Sequence, residues 1–396
     1  MPKFRDFIDG PWRAVPVLGV TQILAWGSLF YPPVLMMPLI AQDRGWSLAF
    51  AMAGFSVALL VAGMVAPSVG AAIDRYGGHI VMPAGSLLGA LGLVLLVHAA
   101  HPALYIAVWV LLGIAIAASL YDPAFATLGR IFGAAARRPI TALTLIGGFA
   151  STVGWPATQF LLARTDWRVT YLVFAALLAF VAAPLHAFAL PRTHAGHKSH
   201  ADPNAELPSA PLPAKGLPFI LVATGFAFYA FVPSGLAAHL LAIFQRQGVD
   251  AQTVVLIGAL FGPAQVGARV CEMIFARNVH PLDVARIAMS IMLFGFALLA
   301  AVGFSVAAAA TFAILFGAAN GLITITRGAV PLALFGAAGY GRILGRIAKP
   351  FQLVQAVAPL VLAFVVERGS DRAALIMVAL FTLAALICMV LLKRPR

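Results

Sequence analysis

Polar residues are so sparse along this chain that they mark the ends of apolar runs instead of alternating with apolar positions. Neither the period-2 pattern of a half-buried strand nor the one-sided stripe of a soluble helix is kept. Unbroken apolar runs of 18 or more residues are the mark of helices that cross a bilayer. Read between clusters of charge and proline, they predict helices over 14–40, 47–72, 79–99, 103–128, 139–163 and 168–189. A second set follows over 217–244, 251–275, 284–303, 306–331, 342–366 and 372–392. Between the sets, 191–216 is rich in Pro, Ala, His and Ser and reads as a flexible linker. The expected fold is an all-α membrane protein of twelve transmembrane helices. Two six-helix bundles, 1–190 and 217–396, are joined by a cytoplasmic linker over 191–216.

Composition agrees with this pattern. Of 396 residues, 62% are hydrophobic and 10% charged, whereas water-soluble domains carry about 25% charged residues to hydrate their surfaces. Twelve crossings of roughly 20 residues each, with short links, occupy this length and leave no room for a nucleotide-binding or sensor domain. No phosphate-binding loop, paired-histidine zinc motif or serine in a catalytic glycine turn is present, so neither a pump nor an enzyme is expected, and no cofactor. Cys271 and Cys388 lie far apart in apolar runs and suggest neither a disulfide nor a metal site. The apolar run after Met1 to Arg13 is long and has no small-residue cleavage signal, so no removable leader is expected.

The net charge of +13 does not indicate nucleic acid, because no basic stripe interleaved with exposed aromatics lies outside the apolar runs. The basic residues follow the membrane instead. With the N-terminus inside, Lys3, Arg5, Arg13, Arg75, Arg130, Arg137, Arg138, Arg192, Lys198, Lys215, Arg277, Arg286, Arg342, Arg346, Lys393, Arg394 and Arg396 fall on the cytoplasmic side; the outer side receives only Arg44, Arg164, Arg168, Arg246, Arg368 and Arg372. This predicts a multi-pass protein of a bacterial inner membrane with both termini cytoplasmic. Internal repetition points the same way. Leu111-Leu112-Gly113 aligns with Leu315-Phe316-Gly317, Pro156 with Pro359, Arg168 with Arg372, and Val69-Gly70 with Val266-Gly267. Two halves related by a pseudo-two-fold axis along the membrane normal, with the solute site between them, are expected from such repeats.

The most specific motif, Gly70-Ala-Ala-Ile-Asp74-Arg75-Tyr-Gly77-Gly78-His79, joins the second and third helices. It resembles the loop signature of the major facilitator superfamily. That resemblance implies a carrier working by alternating access, in which a small residue lets helices approach and Asp74 and Arg75 take part in gating. An aspartate there can sit at the positive N-terminus of another helix. The family usually has a basic residue where Gly78 stands, and His79 takes a place commonly held by lysine or arginine, so the charge network is weakened. Gly45-Trp46-Ser47, Pro67 and Asp74-Arg75 together resemble the monocarboxylate and oxalate–formate branch. The expected activity is transport of a small organic anion such as a monocarboxylate, coupled to a proton or counter-anion. The expected partners are that solute and the bilayer, with no nucleic acid, and the chain is expected to be a monomer. The competing reading is an efflux carrier for a drug, toxic metabolite or other hydrophobic compound. Gly147-Gly148 and Gly154-Trp155-Pro156 only partly resemble the drug–proton antiporter signature, lacking its glycine-proline core and trailing glycine pair.

Ionisable residues within membrane helices mark functional pathways or paired structural latches. Asp122, Glu272 and Arg327 fall near the cytoplasmic ends and are read as an inner gate network; alternatively Asp122 or Glu272 carries a coupling proton. Arg269 and Lys349 are candidates for a substrate carboxylate, and basic residues of the eighth and eleventh helices play that part in the resembled branch. The plainer alternatives are that Arg269 pairs with Glu272 and that Lys349 snorkels to the interface. Gln22, Trp26, Tyr229, Asn320 and Thr324 lie on helices that line the cavity in the resembled family; interhelical hydrogen bonding is the competing role. His239 senses pH, binds substrate or ties helices together. His194, His197 and His200 share a spacing that suits a metal, yet their proline-rich setting defines no geometry, and no metal site is expected. Prolines inside the helices, Pro156 and Pro359 among them, free carbonyls and bend the backbone.

Overall fold

The computed structural model describes residues 10–192, 212–276 and 278–394, and among these every regular element is helical. The metal reading of His194, His197 and His200, and most of the linker, lie outside the described residues. In chain order the α-helices are α1 (Ala14–Ala25), α2 (Pro33–Arg44), α3 (Leu48–Tyr76), α4 (Gly78–His98), α5 (Pro102–Ser119), α6 (Tyr121–Phe132), α7 (Arg137–Gly147), α8 (Ala150–Leu162) and α9 (Trp167–Leu177). There follow α10 (Gly216–Arg246), α11 (Ala251–Ala259), α12 (Phe261–Phe275), α13 (Pro281–Val302), α14 (Val306–Phe335), α15 (Tyr340–Arg368) and α16 (Asp371–Leu391).

Eleven helical runs among the described residues are long and apolar enough to cross a membrane. The fourth, Pro102–Leu162, has 61 residues, about 90 Å at 1.5 Å per residue against roughly 30 Å of hydrocarbon. A break at Leu120 and a 3₁₀ turn at Gly133–Ala136 divide it, and it makes two crossings, giving the expected twelve. The helix predicted over 103–128 is interrupted at Leu120. Leu120 is extended, because Pro123 has no N–H to donate to the Ser119 carbonyl four residues earlier.

The chain divides into two compact units. One comprises Met1–Ala210 with Gly336–Lys349, and the other Pro211–Phe335 with Pro350–Arg396. The same pairings recur inside each: α3 with α5 and α4 with α5 in the first, α12 with α14 and α13 with α14 in the second. Glycines set the approach. A Cβ on Gly113 would meet the Ala58 carbonyl at 2.5 Å and Val61 Cβ at 2.9 Å. One on Gly317 would meet the Phe261 carbonyl at 2.7 Å and Ala264 Cβ at 3.0 Å. The two glycines, aligned from sequence, thus face pairs of residues with the same three-residue spacing. At the other aligned pair the contacts differ, since Gly70 abuts Gly341 while Gly267 faces open space. In the first unit Tyr105 and Trp109 anchor the apolar core, with the Tyr105 hydroxyl donating to the Ala51 carbonyl at 2.6 Å.

Candidate functional site

Three polar groupings stand out within otherwise apolar helices, two in the first unit and one in the second.

The first is built on Asp74, in the last turn of α3. Its Oδ1 accepts the Gly341 N–H and its Oδ2 the Arg342 N–H, each at 2.8 Å. These donors belong to the first turn of α15, where N–H groups have no partner within their own helix and the helix dipole favours a carboxylate. Backbone contact makes the geometry possible. A Cβ on Gly70 would run into the Gly341 carbonyl, and one on Gly345 into the Ala66 carbonyl. Arg130 donates from its guanidinium to the Asp74 backbone carbonyl. The exposed Arg75 instead lies over the Tyr76 ring, 5.0 Å from its centroid. Gly78 departs from the family pattern for a packing reason, since any Cβ there would collide with the Thr127 side chain.

The second grouping lies around Gln22, which is fully buried. Gln22 Nε2 donates to the Ser119 carbonyl at 2.8 Å, replacing the N–H that Pro123 lacks. Its Oε1 accepts from the Trp26 indole N–H at 3.1 Å. Trp26 opens a π-helical turn, closed by a Tyr31 N–H to Trp26 carbonyl bond of 3.0 Å. The following Pro32 and Pro33 cannot donate to Ser28 and Leu29. Gly27 and Gly154 touch backbone to backbone, with a Cβ on Gly154 only 3.0 Å from Gly27 Cα. Their neighbours Trp26 and Trp155 each pack on Tyr31, at centroid distances of 5.8 and 6.0 Å. Phe30 and Tyr121 complete an aromatic cluster, at 4.6 and 5.3 Å from Trp26. Asp122 follows in the first turn of α6.

The third grouping is in the second unit. Arg269 and Glu272, one turn apart on α12, are 3% and 4% exposed, and Arg269 Nε donates to the Gly321 carbonyl at 3.3 Å. Gly321 permits this by bringing α14 against α12, where a Cβ would meet the Gln265 carbonyl at 2.5 Å. The Tyr229 hydroxyl donates to Asn320 Oδ1. Arg327 lies over Phe351, 4.0 Å from the ring centroid, and Phe351 is 6.5 Å from the Tyr229 ring. Arg269 and Tyr229 are buried and Arg327 and Asn320 half-buried, and all four lie on α10, α12 and α14 of this unit. Such a group suits a dehydrated anion, because a guanidinium replaces lost water with charge-assisted hydrogen bonds.

The other sequence candidates are more peripheral. Thr324 Oγ1 donates to the Asn320 carbonyl of its own helix at 2.8 Å. His239 Nε2 donates to the Pro359 carbonyl at 3.4 Å. Lys349 is exposed and is the last residue of the first unit, whereas Arg269 belongs to the second. Asp122 likewise belongs to the first unit, and Glu272 and Arg327 to the second. Sequence reasoning missed one buried set. His186, fully buried, has Nδ1 at 3.2 Å from Ser86 Oγ and Nε2 at 2.8 Å from Thr21 Oγ1. The available signal was a single histidine near the end of the 168–189 apolar run with a hydroxyl residue in each of two others.

Taken together, the helical crossings, the helix-capping aspartate and the polar groupings define a multi-pass helical membrane protein. A sequence model of the Major Facilitator Superfamily matches residues 18–345, and the chain belongs to that family. It is a transport protein and not an enzyme. Monocarboxylate transporter 11 of Homo sapiens is 32% identical over 258 residues, 61% of this chain and 50% of that protein. The match thus spans about half the length of that curated relative, 50%. The human organic anion transporter MFSD10 (TETRAN) has a crystal structure similar to this chain, with a TM-score of 0.71 at 16% identity, over 98% of this chain and 100% of that one. The proton:xylose symporter XylE bound to 6-bromo-6-deoxy-D-glucose gives a TM-score of 0.69 at 11% identity, over 97% and 96%. These structural likenesses establish the fold.

Proposed function

We propose that this chain moves a small organic anion, a monocarboxylate in first place, across a bacterial inner membrane by alternating access. Both termini face the cytoplasm, and a monomer of two six-helix halves, 1–190 and 217–396, is joined through 191–216. The observation that carries the reading is Arg269, 3% exposed and donating to the carbonyl of Gly321, whose neighbour Asn320 accepts from the Tyr229 hydroxyl. An ionisable residue within a membrane helix marks a functional pathway or a paired latch, and a guanidinium can hold a substrate carboxylate through bidentate bonds. Supporting this chemistry, the matched relative bears the name of a monocarboxylate transporter and one similar structure that of an organic anion transporter. A proton on Asp122 or Glu272, or an exchanged anion, supplies the driving force.

The test is uptake of radiolabelled monocarboxylates into proteoliposomes. Saturable uptake in the wild type, abolished by Arg269→Ala and only partly restored by Arg269→Lys, is expected. Unchanged uptake in Arg269→Ala removes the anion site, and no carboxylate uptake by the wild type removes the substrate class. The aromatic cluster of Trp26, Phe30, Tyr31, Tyr121 and Trp155 favours a second reading, an efflux carrier for a hydrophobic compound. Under that reading, expressing cells gain resistance to such compounds and accumulate no carboxylate.

A further inference from the structure

A groove of about 500 Å³ opens on the second unit between the end of α13 and the start of α16. Leu293, Phe296 and Ala300 on α13 and Leu375, Ile376 and Ala379 on α16 line it, together with the exposed Gln247 and Arg372. At the corresponding corner of the first unit, Arg44 donates to the Val97 carbonyl at 2.7 Å. The Arg44 guanidinium also lies 5.7 Å from the centroid of Trp167, which is 4% exposed. Arg168 is ion-paired with Asp43.

Helix caps fix which residues correspond. Ser47 and Asp250 each accept the N–H three residues on, as do Asp166 and Ser370. Counting from these caps, Gln247 takes the place of Arg44, Asp371 that of Trp167, Arg246 that of Asp43, and Arg372 that of Arg168. The second unit thus replaces a long cation and an indole with smaller side chains, which leaves the groove open. It also replaces the acid that serves Arg168 with a base. Arg246 holds Asp371 through two bonds, of 2.6 and 3.0 Å. Arg372 is exposed and has no acidic partner among the described residues.

The shape and charge of the groove identify its occupant. From Leu293 to Gly303 the α13 wall runs about 15 Å, half of a hydrocarbon core of roughly 30 Å, which is the depth of one leaflet. A ligand with a long apolar chain and an anionic head fits both parts. We propose that this groove binds an anionic phospholipid of the adjoining leaflet, its acyl chain along α13 and α16 and its phosphate on Arg372 with the Gln247 amide. The site is independent of the transported solute.

The test is native mass spectrometry and thermal melting of delipidated full-length protein with phosphatidylglycerol or phosphatidylcholine of identical chains. The wild type should retain phosphatidylglycerol and be stabilised more by it. Arg372→Gln should weaken phosphatidylglycerol about tenfold, as expected for one charge-assisted bond to phosphate, and so abolish the preference. Arg168→Gln should keep the preference. Ala300→Trp, which fills the groove, should release both lipids. Equal response to the two lipids, or a preference that survives Arg372→Gln, overturns the proposal. So does full stabilisation by inorganic phosphate, which would mark a free-anion site, or a dimer broken by Ala300→Trp, which would mark a second copy as the occupant.

Discussion

Replacing Asp74 with asparagine should loosen the contact between the end of α3 and the start of α15. The carboxylate takes two N–H groups, at 2.8 Å each. Asparagine keeps one acceptor and turns an NH₂ group toward the other donor. One charge-assisted hydrogen bond, about 1.5–3 kcal/mol, is then lost, together with about 0.3–1 kcal/mol of attraction to the helix N-terminus. The sum, about 2–4 kcal/mol, corresponds to roughly 30- to 700-fold in population. Asp74 is half-buried, so water recovers part of this and about tenfold is a fair lower bound. Ala66 reports the change, being 4% exposed and lying against Gly345. In an Ala66→Cys protein freed of the exposed Cys271 by Cys271→Ser, Asp74→Asn should raise the maleimide labelling rate about tenfold or more. Gly345→Val, whose Cβ meets the Ala66 backbone, is the control that must part the helices. Faster labelling in the control with no change in Asp74→Asn would refute the claim that the carboxylate holds this contact.

Three further outcomes follow from the geometry. Gln22→Leu should lower the melting temperature through about 1–3 kcal/mol for each polar group it leaves buried without a partner; in a Pro123→Ala background, which supplies an N–H to Ser119, that loss should shrink, as a double-mutant cycle measures. Gly113→Ala and Gly317→Ala should each destabilise the protein by about 1–3 kcal/mol in thermal melts, whereas Gly267→Ala, in open space, should leave it unchanged. Asp250 lies outside the membrane-spanning segments, and hydrogen bonds from the Thr253 hydroxyl and N–H hold its carboxyl below the ordinary value of 3.8. Its stabilising effect is therefore complete above about pH 4 and lost as pH falls through its lowered folded value, so Asp250→Ala should lower the melting temperature at pH 7 by more than at pH 3.

What sequence made legible follows from the solvent. Charges are rare in a chain dissolved in lipid, so each stands out, and Arg269, Glu272 and Arg327 were all found within apolar runs. Asp74 was readable for a further reason, since its motif resembles the family's loop signature and a carboxylate there can sit at the positive N-terminus of another helix. Depth and neighbours were less readable. Arg75 adjoins Asp74 in sequence but lies over Tyr76, because consecutive helical residues point about 100° apart. His186 was passed over because its two hydroxyl partners lie in separate runs, one 100 and the other 165 residues away.

Neutral polar groups carry the harder part of the architecture. Each proline within a helix removes the N–H owed to the carbonyl four residues earlier, so the freed oxygens are known from sequence by counting back. Pro123 frees Ser119, and Pro359 frees Gln355. In lipid such an oxygen must find another donor. Gln22 serves the first at 2.8 Å and Ser234 the second at 2.7 Å, across 97 and 121 residues of chain. Which donor answers depends on which helix lies alongside, and that is settled by glycine-mediated approaches such as Gly113 on Ala58 and Gly321 on Gln265. A proline therefore creates the need locally, a glycine elsewhere decides which helix can meet it, and the polar side chain acquires its role only once both are in place.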